Sequence, residues 1–251
     1  MNQIAMFEAR PGLKPMWRYY GGKWRAAPLY PQPRHQTIVE PFAGAAGYST
    51  RYADLDVVLV EKYPPVAEIW RYLIRTPARE ILAIPLVEHV DDLPSGIAEG
   101  ARYLVRFTLA VMQARPCNML SNAFRKQSLK HPTWIRGWDA GQRERVASQV
   151  DRIRHWKLVE GDYTSAPRLR ATYFVDPPYN NKAGMKYPCG PKQIDYLELG
   201  RWCRELPGQV VVCEQEGADW LPFQSFGQFV RGLNKSQGSR EVVWLADDAL
   251  S

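Results

Sequence analysis

Residues 37–63 read TIVEPFAGAAGYSTRYADLDVVLVEKY. Two short β-branched runs, TIV and DVVLV, flank a stretch of small residues. That alternation predicts a strand, a glycine-bearing turn, a helix over AGAAGYSTRYAD and a second strand. Such a unit is the opening of a βαβ fold. Working outward, PPVAEIWRYLIRTPAREILAIP (64–85) has helical apolar spacing with a break at Pro77, and GIAEGARYLVRFTLAVMQARP (96–116) is a second periodic helix ending near Pro116. From Asn118 to about Trp134 the pattern fades into polar, basic and turn-forming residues, and DAGQRERVASQVDRIRHW (139–156) reads as a charged, mostly exposed helix.

Strand-like runs return at WKLVEGDY, ATYFVDPPY, GQVVVCEQE and SREVVWLAD, with a helix expected over IDYLELGRWCREL. The final pair, around the Gly/Asn/Ser-rich RGLNKSQGS, is expected to form a hairpin. The predicted fold class is therefore α/β, a mostly parallel, doubly wound sheet with an antiparallel hairpin at its C-terminal end. A small, largely helical insertion at 111–155 divides the main domain into 1–110 and 156–251.

With 251 residues and 45% hydrophobic content, the chain can bury a full core. No stretch approaches the ~20 apolar residues of a membrane span, and the N-terminus lacks the basic start and apolar block of a signal peptide. The expectation is a soluble cytoplasmic protein without a membrane partner, monomeric or with a dimer left open. The four cysteines show neither C-x-x-C spacing nor disulfide-scaffold density, and no metal is expected. The four histidines read as surface or packing residues. The segment 102–157 holds twelve Lys/Arg against three Asp/Glu, a surplus exceeding the net charge of +7 on the whole chain. A polyanion partner and a solvated helix face both account for it.

In open parallel sheets the ligand crevice lies beyond the carboxyl ends of the strands. Three such ends carry distinctive residues. The first strand runs into Pro41, Phe42, Ala43 and Gly44, where small residues let backbone approach a ligand, or simply pack strand against helix. Glu61 ends the second, at the distance where dinucleotide sites place an acid on ribose hydroxyls; an exposed glutamate is the alternative. The third end is FVDPPYNN, 174–181. Proline fixes its own φ and pushes its predecessor into extended conformation, so Pro177 and Pro178 hold Asp176 stiffly. Neither proline has an N–H, leaving an acceptor-only corner suited to an amino group, with Tyr179 adding a π-face.

Taken in order and spacing, RYYGGKW (18–24), VEPFAGAAGYS (39–49), LVEK (59–62), EGDY (160–163) and VDPPYNN (175–181) resemble the Dam-type DNA adenine N6-methyltransferases. The resemblance spans most of the chain, its most specific element being DPPY combined with an N-terminal GGK. It implies a Rossmann-like methyltransferase sheet, S-adenosylmethionine as cofactor with S-adenosylhomocysteine as product, and double-stranded DNA as partner. It further implies Glu61 on the ribose hydroxyls, residues 40–47 near the methionine end and ribose, Asp162 and Tyr163 about the adenine ring, and Tyr19 and Lys23 at the cofactor's amino-acid end. Asp176, Pro177, Pro178 and Tyr179 would be catalytic. The family usually carries a second glycine where this chain has Ala46.

The family's target-recognition segment falls where the basic block lies. Within it Arg115, Asn118, Asn122, Arg125, Lys126, Lys130 and Arg136 are the candidate DNA contacts, arginine and asparagine for bases and lysine for phosphate. Trp134 and Trp138 fit a core role better than a wedge between bases. Rival expectations are an RNA adenine methyltransferase, an N4-cytosine enzyme, and a catalytically silent DNA-binding protein on the same scaffold.

Overall fold

The computed structural model describes residues 12–110, 113–122, 124, 126, 137–226 and 241–247. Its strands are β1 (Thr37–Glu40), β2 (Asp56–Glu61), β3 (Lys157–Glu160), β4 (Ala171–Val175), β5 (Gly208–Gln215), β6 (Gln224–Ser225) and β7 (Glu241–Ala246). They form one sheet in the order β3-β2-β1-β4-β5-β7-β6. The first five named in that order pair in parallel, while β7 runs antiparallel to both β5 and β6. The mixed α/β sheet with an antiparallel C-terminal end agrees with the sequence reading; the two-residue β6 was not foreseen.

Alternation along the strands explains the layering, because successive side chains point to opposite faces. Ile38, Leu59, Phe174, Val211 and Cys213 enter one core, and Val39, Val58, Val60, Tyr173, Val175, Val210 and Val212 enter another. Apolar on both faces, the strands must be covered on both. Among the described elements the first face takes α1 (Pro64–Arg75), α2 (Ala78–Ala83), α3 (Glu99–Thr108) and α4 (Ala140–Val150), and the second takes α5 (Tyr196–Arg204). Pro64 starts α1, where no N–H is needed, Pro77 follows its end, and Val66, Ile69, Trp70 and Leu73 form its buried stripe. The α1 helix packs against α3, where a Cβ at Gly100 would lie 2.4 Å from the Glu68 carbonyl oxygen, so only glycine permits the approach.

Three expectations change. The helix expected after the glycine turn is only a 3-10 turn, Ser49–Tyr52. The Leu13 N–H takes the Thr50 carbonyl at 2.7 Å, removing an acceptor that a longer helix would need. The second periodic helix stops at Thr108, not near Pro116, because the chain folds back and the Cys117 and Ser121 N–H groups donate to the Arg106 and Leu109 carbonyls. Finally α4, expected to be mostly exposed, is half embedded: Val146, Ala147 and Val150 are buried in the first core, and the Gln142 amide donates to the Met16 carbonyl at 2.6 Å. Trp138, 2% exposed, is core; Trp134 lies outside the described residues. Among the described residues no helix is long and apolar enough to cross a membrane.

Candidate active site

Strand order reverses its direction of growth between β1 and β4, so their outgoing loops part and leave a crevice. An open cleft lies there. Its walls include Tyr19, Lys23, Pro41, Phe42, Ala43, Gly44, Glu61, Asp162, Tyr163, Asp176 and Pro178. Residues from five separate segments of the chain thus meet at one edge. Pro177 and Tyr179 do not line it; Pro177 is buried behind the wall.

The turn after β1 is shaped by backbone. Gly44 (φ 47°) and Ala46 (φ 48°) both sit in the left-handed region, so Ala46 carries a strain that glycine would not at the position where the resembled family has one. Gly47 cannot be enlarged: a Cβ there would lie 2.6 Å from the Trp24 nitrogen and 2.9 Å from the Lys23 nitrogen. That close approach seats the GGK segment against the turn. The Gly44 carbonyl accepts from the Trp70 indole at 2.7 Å, fastening the turn to α1.

Glu61 ends β2 with its carboxylate turned inward, accepting from the Gly44 N–H at 2.9 Å and the Tyr63 N–H at 2.8 Å. Burial pushes its pKa up to about 7 against the pull of those bonds. With the Lys62 N–H also bonded to it, the carboxylate keeps acceptor capacity for about one incoming hydroxyl. Phe42 and Tyr163 stack with centroids 5.8 Å apart, and Trp202 meets Tyr163 edge-on. Asp162 caps the turn that follows it, accepting from the Thr164 N–H at 3.1 Å and the Thr164 hydroxyl at 2.5 Å. Tyr19 packs on Phe107 and Tyr187, which also lines the cleft.

Asp176, held at the end of β4, is not a vacant acceptor. Its Oδ1 receives the Lys23 ammonium at 2.7 Å. Burial raises the Asp176 pKa above the ordinary carboxylate value while Lys23 opposes the rise. For Lys23, burial alone would lower the pKa, but Asp176 and then Glu241 outweigh it and hold the ammonium charged. Glu241 lies 3.5 Å from the same Nζ, accepts from the Tyr179 hydroxyl at 3.3 Å, and accepts from the Tyr30 hydroxyl. The Tyr179 ring, expected to offer its face to a ligand, instead lies beneath Lys23, 4.9 Å from Nζ to centroid. The Pro178 carbonyl accepts from the Tyr196 hydroxyl. A second buried acid, Glu40, accepts from the Ser49 N–H at 2.6 Å and lines the cleft; burial pushes its pKa up to about 8.

Glu241, Tyr30 and Tyr187 had no role in the sequence reading, and Glu40 entered it only as part of the 40–47 turn. Glu241 had a signal: an antiparallel last strand brings its first residue to the edge where the parallel strands end, and Glu241 pairs with Gln215 there. Of the candidate DNA contacts, Arg115, Asn118, Asn122 and Lys126 are exposed, while Arg125, Lys130 and Arg136 lie outside the described residues. No family model matches the chain, and no curated protein matches it.

Proposed function

We propose that the protein transfers a methyl group from S-adenosylmethionine to the N6 amino group of an adenine flipped out of double-stranded DNA, using a Rossmann-like methyltransferase sheet. The observation that carries this reading is the convergence of the motif residues Lys23, Gly44, Glu61, Asp162 and Asp176 on one cleft. The donor fits the groups present. Glu61 is a half-buried carboxylate on the cleft wall with acceptor capacity left for a ribose hydroxyl, Phe42, Tyr163 and Ile194 offer apolar surface to a purine, and Gly44 brings bare backbone to the wall.

When bound, S-adenosylmethionine supplies a sulfonium methyl already activated for displacement. The chain's task is to orient and polarise the amine. The N6 lone pair is delocalised into the ring, and acceptors on the amino hydrogens draw it out of conjugation as attack proceeds. The Asp176 carboxylate, which lines the cleft, fills this role, its interaction strengthening as positive charge grows on nitrogen; the Pro177 carbonyl, expected from the sequence to share it, belongs to a residue that does not line the cleft. Pro177 and Pro178 limit the freedom of that corner. A base inside a duplex cannot reach the cleft, so flipping costs a few kcal/mol, offset by phosphate contacts from 111–155, the target-recognition segment in this reading. Arg115, Asn118, Asn122 and Lys126 are its exposed candidates. The chain acts where DNA is, in the cytoplasm of a bacterial cell or phage-infected host.

Incubation with labelled S-adenosylmethionine and unmethylated duplex DNA tests the proposal. Label should appear at adenine N6, and Asp176→Ala should abolish transfer while DNA binding survives. Label on RNA or on cytosine alone, or full activity in the variant, would overturn it.

A further inference from the structure

We propose that Glu241 is a positioning residue that gives Lys23 a second resting place, so that the ammonium swings from Asp176 to Glu241 and uncovers the Asp176 oxygen for the target amine. This rests on the methyl-transfer reading and resolves a conflict within it. The acceptor that the amine requires is already bonded to Lys23 at 2.7 Å.

Lys23 cannot simply withdraw into solvent. Its side chain is 9% exposed, with Asp176 at 20% and Glu241 at 13%, and a buried ammonium without a counter-charge is strongly unfavourable. The alternative partner lies 3.5 Å away, on the far side of a swing that a four-carbon stem makes by bond rotation. The Tyr179 ring underlies the ammonium at 4.9 Å. Glu241 itself is fixed: the Tyr179 and Tyr30 hydroxyls donate to its two oxygens, and its pairing with Gln215 sets its place on the sheet. Lysine is therefore the moving part. The proton count is unchanged, since the ammonium stays protonated, both carboxylates stay ionised and no covalent bond is made.

The titratable groups around Lys23 are Asp176 and Glu241 in contact, the Tyr179 ring beneath it, and the Cys213 thiol, Glu214 and Tyr187 further off. NMR of the full chain, labelled with ¹³C at lysine Cε, reads the lysine's ionisation without any need for activity. In Asp176→Asn alone, or Glu241→Gln alone, the remaining carboxylate keeps Lys23 charged. In the double variant burial prevails, and the titration falls by about two pH units or more. A double variant that titrates like the parent protein overturns the proposal. So does an Asp176→Asn variant whose Lys23 loses its charge, and that single variant decides the matter should the double variant not fold. In methyl transfer, Glu241→Gln lowers kcat about tenfold or more with donor Kd unchanged. Glu241→Asp restores part of the rate, and adding Lys23→Met to Glu241→Gln costs no more than Lys23→Met alone; additive losses overturn the idea. A parent protein that methylates no duplex DNA removes the functional proposal, while the titration still judges the two resting places.

Discussion

Glu40 shows how far burial governs single residues in this cleft. An ordinary glutamate ionises near 4.5, but this one, buried at the cleft wall, is pushed to about 8. Below the ordinary value the folded and unfolded chains both carry it neutral, and its burial costs little. As pH rises the unfolded chain ionises first, so stability is lost progressively until pH passes about 8. Glu61 and Glu214, each raised by burial to about 7, act in the same direction. Glu40→Gln keeps an acceptor for the Ser49 N–H and removes the titration. The variant should melt close to the parent protein near about pH 4 and above it near about pH 8. Melting curves that stay parallel across that interval would show that Glu40 titrates as an exposed acid does.

The contact between α1 and α3 makes the corresponding argument for elements. On helix propensity alone, Gly100→Ala should stabilise α3 by about 1 kcal/mol. The new methyl would, however, lie 2.4 Å from both the Glu68 carbonyl oxygen and the Tyr72 Cβ, forcing the helices apart. Overpacking of this kind costs about 1–3 kcal/mol and reverses the sign, so urea unfolding should show a net loss. A midpoint moved upward would mean that the helices are free to separate. The same scale shows what the sequence could and could not reveal. The strands were legible because runs such as ATYFV and GQVVVC are buried on both faces, and the acids Glu61 and Asp176 because they end such runs. The short turn after Gly47 was misread as a helix because what stops it, the Leu13 N–H on the Thr50 carbonyl, comes from a distant segment. Glu241 was missed because an expected antiparallel last strand shows only that some residue near its start reaches that edge; which one does so depends on the register of β7 against β5, and residue spacing does not fix it.

For the molecule as a whole, charge is the feature most open to measurement. The surplus of Lys/Arg in 102–157 leaves the rest of the chain slightly acidic, so binding to a polyanion is expected to be concentrated there. Lys126 is exposed. Lys126→Ala should weaken binding to duplex DNA uniformly across sequences and reduce the slope of log K against log salt by about 1. A slope equal to that of the parent protein would remove Lys126 from the phosphate contacts. The cleft itself is also a property of the whole. Lys23 finds Asp176 across 153 positions of chain, and its second carboxylate arrives on the strand that enters the sheet backwards. Contacts so remote in sequence are among the slowest to form. The charged corner thus draws on both ends of the described chain, and if β7 detached from the sheet Lys23 would keep Asp176 but lose Glu241.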